Sequence, residues 1–188
     1  MKKLIVLCIG LFVSHVIMAQ KYVPQIGIGT VFNYNVVANS SGQQIPLALT
    51  IVSLNDPMKL KWALPGIGTG SFLIPKKALD SGTKMRLEEP APDVDTQFKD
   101  DETIMFISKA QLDDIAKTHE FTISHMKFKV VPSTTTYQIN GKDVDTFHAA
   151  TANSSVEIWI LNNPDFPLIT KLTGNPGGID FDLKNIKE

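Results

Sequence analysis

The chain has 188 residues, with 18 basic and 19 acidic side chains and a formal net charge of −1. Scattered lysines without a positive excess exclude an electrostatic footprint for nucleic acid. The single cysteine excludes a disulfide framework, and at this length one domain buries about 70% of its unfolded surface without staples.

Met1-Lys2-Lys3 is a short positive start, and Leu4 to Met18 is an apolar run broken only by Gly10, Ser14 and His15. Ala19 is a small residue suited to signal-peptidase cleavage. The run falls short of the roughly 20 apolar residues that span a bilayer. Residues 1–19 therefore read as a secretory signal of bacterial type, and 20–188 as a single β-rich domain in the periplasm or outside the cell. No membrane span remains after cleavage. Cys8 leaves with the leader, and its place after the bulky Leu7 argues against a lipoprotein.

Strand patterns follow. Thr30 to Val37 puts Phe32, Tyr34 and Val36 on one face, and Ser40-Ser41-Gly42 makes a turn. Ile45 to Leu54 is apolar on both faces, which predicts a strand covered on both sides. After Asn55-Asp56-Pro57, Met58 to Leu64 alternates cleanly, with Lys59 and Lys61 outward. These three segments predict an antiparallel meander.

Two helices interrupt it. Pro75 suits a first helical residue before Lys76 to Asp80, with Gly82 ending the turn. Ser108 and Gln111 form a capping-box pattern ahead of Lys109 to Thr118, whose apolar face is Leu112, Ile115 and Ala116. Between them, Glu88 to Glu102 is acidic and proline-rich and reads as an exposed loop between two halves of one domain.

The second half is again strands. Met126, Phe128 and Val130 alternate with lysines. Asn140-Gly141 is a hairpin turn joining Thr135–Ile139 to Val144–Ala149, because both turn residues tolerate positive φ. Val156–Leu161, which like Ile45–Leu54 is apolar on both faces, Leu168–Leu172 and Ile179–Leu183 complete about eight to ten strands. The fold class is mainly β or α+β, with two short helices.

Thr103–Lys109 with its helix, Ile158–Lys171 and Leu183–Ile186 resemble a group of uncharacterised secreted or periplasmic bacterial domains. Those domains are similar in layout to the half-open β-barrels of lipoprotein carriers. The resemblance covers most of the chain after the leader and rests on turns and core positions. It implies a curved antiparallel sheet with helices against its concave side. It brings no catalytic residues.

Motifs for chemistry are sparse. His119, His125 and His148 lack metal-ligand spacing, so no metal is expected; His119 suits a helix C-terminus instead. Asp93–Thr96 and Asp143–Thr146 repeat an Asp-Val-Asp-Thr pattern but lack the further ligands and glycine of a calcium loop. Gly66 to Gly70 and Gly27 to Thr30 lead into strands, not helices, and read as strand entries rather than phosphate loops. No nucleophile motif is present.

The expectation is a protein without catalytic residues or cofactor. It would hold an apolar or amphipathic ligand, such as a lipid, or an envelope partner on the concave sheet face. The aromatic candidates are Trp62, Trp159, Tyr34 and Phe128, whose alternation with polar residues also suits a core. Two alternatives stand beside it. One is a structural or partner-binding domain whose helices fill the concavity. The other is a hydrolase of envelope polymers built on paired acids such as Asp93, Asp95 or Glu102.

Overall fold

A computed structural model describes residues 21–133 and 136–188. The signal reading of residues 1–19 and the Thr135 end of the predicted hairpin lie outside the described residues.

Val31–Ala38 (β1), Gln43–Ser53 (β2), Met58–Leu64 (β3) and Gly68–Ile74 (β4) form an antiparallel meander. Lys76–Ser81 (α1) follows, then three short strands, Lys84–Met85 (β5), Asp95–Gln97 (β6) and Glu102–Thr103 (β7). Lys109–Thr118 (α2) leads into Glu120–Ile123 (β8) and Met126–Val130 (β9). The rest are Tyr137–Ile139 (β10), Lys142–Val144 (β11), Thr146–Ala150 (β12), Glu157–Leu161 (β13), Ile169–Thr173 (β14) and Ile179–Lys187 (β15).

Eleven strands make one sheet in the order β6-β4-β3-β2-β1-β15-β14-β13-β12-β9-β8. Every neighbouring pair is antiparallel except β4 and β6. The sheet is curved and its edges, β6 and β8, do not pair, so it is not closed into a barrel. The fold is therefore a mainly β, half-open arrangement with two short helices, as expected.

One face of the sheet builds the core. Phe32 and Tyr34 of β1, Leu49 and Ile51 of β2, Met58, Leu60 and Trp62 of β3, and Phe72 and Ile74 of β4 are all buried. Alternation alone explains β3, where Lys59 and Lys61 take the other face. In β2 the expectation of cover on both sides is overturned. Leu47, Leu49 and Ile51 are buried, but Pro46, Val52 and Leu54 on or beyond the same strand are exposed. Among the described residues, only the inner face of the strand is fully buried.

The helices contribute Ala78, Leu112 and Ile115 to this core. They pack on each other, and α2 also packs on β8. Both halves of the α2 capping box form. The Gln111 backbone N–H donates to Ser108 Oγ at 3.4 Å, and the Ser108 N–H donates to Gln111 Oε1 at 2.9 Å. The Gln111 amide also donates to the Thr122 carbonyl at 2.6 Å, tying the helix start to β8. Because Ser108 is fully buried, water cannot replace its hydroxyl. Ser108→Ala is expected to lower stability by about 1–2 kcal/mol, read as a shift in denaturant midpoint with an unchanged slope.

Three local expectations are corrected. Residues 88–102 are not one open loop: β6 runs beside β4, and Phe98 is buried with its ring edge-on to Phe72, centroids 5.3 Å apart. A single phenylalanine in an acidic run anchors the segment. Val144–Ala149 is not one strand. Asn140 and Gly141 adopt the positive φ values a tight turn needs, but the hairpin is only β10 with β11. The chain then breaks at Asp145, and β12 joins the main sheet. Finally, Val156–Leu161 is not apolar on two buried faces. A register shift at Trp159/Ile160 separates the buried Ile158, Ile160 and Leu161 from Trp159, which faces outward.

The β10–β11 hairpin closes a gap in the sheet. β14 and β15 pair at only two positions. The Tyr137 hydroxyl donates to Asp182 Oδ1 at 2.6 Å and lies 3.0 and 3.3 Å from the Thr170 and Leu183 carbonyls. Asn140 acts as a substitute strand: its amide donates to the Ile186 carbonyl at 2.6 Å and accepts from the Ile186 N–H at 3.1 Å.

Candidate functional site

A small cavity of about 210 Å³ borders both helices at Leu79 and Lys109, and a larger one lies away from them. This larger cavity, of about 380 Å³, lies over the inner-face residues Val36, Ile45, Leu47, Leu64 and Phe72. Ile104 and Met105 form part of its wall, and the strap of residues 87–90 covers it. No residue of either helix lines it.

The strap is held at its ends. The Arg86 N–H donates to the Thr103 carbonyl at 2.9 Å, and the Asp93 N–H to the Thr69 carbonyl at 2.7 Å. Pro92 presses on Gly68, where any Cβ would lie 2.9 Å from the proline ring. Gly68 has φ +138, so a glycine is needed there on both counts. Leu87 turns in to pack on the core, while Glu88 and Glu89 are exposed.

Met105 has φ +55, a costly conformation for a large side chain. Its carbonyl accepts the Ile169 N–H at 2.8 Å, and Ile107 donates to the Pro167 carbonyl at 3.1 Å. These bonds hold the segment against β14 and leave Met105 at the cavity wall. Backbone strain held in place by its surroundings is a pointer to a site.

The four aromatic candidates are not brought together at this cavity. Trp62 is fully buried on the same sheet face but does not line the cavity; it is stacked on Phe72, a lining residue, with centroids 6.3 Å apart. Phe128 is fully buried at the far end against Phe121. Tyr34 is a core residue whose hydroxyl donates to the Ile169 carbonyl at 2.8 Å. Burial of its ring pushes the phenol well above its usual range.

Trp159 lies on the outer face, where both ring faces are taken. His148 stacks on it at 4.2 Å, nearly parallel, and the Lys171 ammonium sits 4.6 Å from the ring centroid. Glu157 Oε2 lies 2.7 Å from His148 Nε2. This ladder across β12, β13 and β14 leaves no indole face open to stack a ligand.

The acidic candidates are also separate. Lys59 bonds Asp95 at 2.9 Å and holds its carboxyl below the ordinary carboxylate range. Glu102 lies 3.4 Å from Lys99 and 3.9 Å from Arg86. Asp93 sits in a turn with φ +59. None of the three lines any of the five main cavities. Among the described residues, no group of three or more His, Cys, Asp or Glu side chains converges as a metal site would require. His119 forms the α2 C-cap in the left-handed conformation.

The residues that do line the cavity are mostly apolar and carry no chemical motif. The only local signal for them was the apolar inner face of β1 and β2. No helix among the described residues is long and apolar enough to cross a membrane. Searches against family models, curated proteins and solved structures find no match to this chain.

Proposed function

We propose that this chain is an exported, non-catalytic binding module of the bacterial envelope, of the half-open β-barrel kind. It holds an apolar or amphipathic ligand between the inner face of the sheet and the strap. The observation that carries this reading is the 380 Å³ cavity, lined by mostly apolar side chains with two glutamates at its strap and free of helical residues. Ligand sites are typically concave, mostly apolar and edged by a few polar groups. A broader depression of about 500 Å³ borders Asn33, Pro46, Ala48 and Ala63 together with Tyr34, Leu47 and Leu64, and it is more open to solvent than the cavity under the strap.

The test is a titration of the purified protein with an environment-sensitive apolar dye, repeated on Ala38→Trp and Ile104→Trp. Both positions line the cavity, and the indole is chosen to fill it. Saturable binding by the wild type, weakened about tenfold or more in both variants, is the expected result. Ala38 is half-exposed at the end of β1, so that variant keeps the fold even if the buried Ile104 change strains it. Absence of saturable binding by the wild type would leave the rival reading, a structural or partner-binding domain. Amino-terminal sequencing of exported material tests the leader: the first residue is expected to be Gln20.

A further inference from the structure

We propose that the ligand of this cavity is a single alkyl chain of about a dozen carbons carrying a cationic head, an alkylammonium. This rests on the reading of the cavity as a ligand site. The length follows from volume. A liquid water occupies about 30 Å³, so 380 Å³ holds about a dozen water-sized or methylene-sized groups. Two packed acyl chains of membrane length do not fit in that space.

The head group follows from charge. The charged residues lining the cavity are Glu88 and Glu89, both on the strap and both exposed. The nearest cation on the strap, Arg86, is already engaged. Its Nε and Nη2 donate to Glu88 Oε2 at 3.1 and 2.9 Å, and its guanidinium lies 5.3 Å from the Phe98 ring centroid. Glu89 has no ion pair among the described residues. An anionic head would meet carboxylates at the mouth. A cation seated there gains the attraction of Glu89 and shares that of Glu88, while its chain runs inward along Val36, Leu64 and Ile104.

The experiment is calorimetric titration of the exported protein with three probes of equal chain length. These are dodecyltrimethylammonium, dodecanoate and neutral dodecyl maltoside, each kept below its micelle concentration. At low ionic strength the cation is expected to bind about tenfold tighter than the anion, a gap that narrows as salt screens the mouth. Glu89→Gln, which leaves the Arg86–Glu88 pair intact and the mouth without net charge, is expected to bring cation and anion close to parity and leave the neutral probe unchanged. The Glu89 side chain is solvent-exposed, so the variant keeps the fold. If the anion binds as well as the cation to the wild type, or if the preference survives Glu89→Gln, the head-group assignment is wrong while the cavity reading stands. If none of the three probes binds, the cavity reading itself fails.

Discussion

Replacing Trp62 with alanine is expected to be among the most damaging single changes in the protein, costing about 3–5 kcal/mol. The indole is fully buried and stacked on Phe72. Its ring also lies directly over Gly70, its cross-strand partner: a Cβ built there would come within 2.8 Å of three ring atoms. The Gly70 backbone and a second aromatic therefore shape the space, and neither can collapse into the hole. The same geometry makes Gly70→Leu severe on its own. Combined with Trp62→Ala it is expected to be milder than the sum of the two, because the new side chain enters the space the indole left. Denaturant unfolding of the single and double variants measures this. Strict additivity would show that the ring and the glycine do not share one volume. Trp62→Phe is expected to cost less than other truncations here. The indole N–H is buried without a hydrogen-bond partner among the described residues, so the wild type already carries that penalty.

Raising the pH is expected to unfold the protein steeply rather than titrate it. All three tyrosines have phenol groups held above their usual range. For Tyr34 and Tyr137 the main cause is burial; for Tyr137 the hydrogen bond to Asp182 adds to it. The hydrogen bond to Glu188 pushes Tyr22 up to about 12. Below about pH 10 the phenols are protonated in both folded and unfolded chains, and their contribution to stability is intact. Above it, the unfolded chain releases phenolic protons that the folded chain retains. Stability then falls by about 1.4 kcal/mol per pH unit for each buried tyrosine. Tyr22, near the surface, contributes less because solvent screens its pair. The expected observation is tyrosinate absorbance that stays flat past pH 10 and then rises together with loss of the β signal in circular dichroism. A smooth titration near pH 10 with the fold intact would contradict it.

The elements that were legible in the sequence are those decided by neighbours within a few residues. The alternation of β3 sorts Met58, Leu60 and Trp62 from the lysines without knowledge of any partner strand. The Ser108 and Gln111 spacing specifies a capping box that forms as read, and Asn140-Gly141 specifies a tight turn. Long-range arrangement was illegible. The apolar stretches of β2 and β13 could not reveal that one face stays open to water, because apolar side chains also cover much of an ordinary surface. Trp159 reads as a core residue until the register shift beside it is known. The proline-rich acidic segment reads as a linker, since Phe98, which anchors it, contacts a residue of β4 distant in sequence. The cavity was least legible of all. It exists because the strap and the Ile104–Met105 segment stand away from the sheet, and a space between distant segments has no residue pattern of its own.

The outer-face ladder has a consequence for light emission. The protein has two tryptophans, and they sit in opposed optical environments. Trp62 has a dry, apolar setting and an indole N–H with no acceptor, conditions for bright emission at the blue end of the indole range. Trp159 is sandwiched between an imidazole and an ammonium, and protonated groups held against an indole withdraw its excitation without radiation. The folded protein therefore glows mainly from Trp62, which touches Phe72 and through it the cavity. Unfolding releases both indoles to the same red-shifted emission. One spectrum thus carries two separate readings, the outer face through its intensity and the cavity side through its colour.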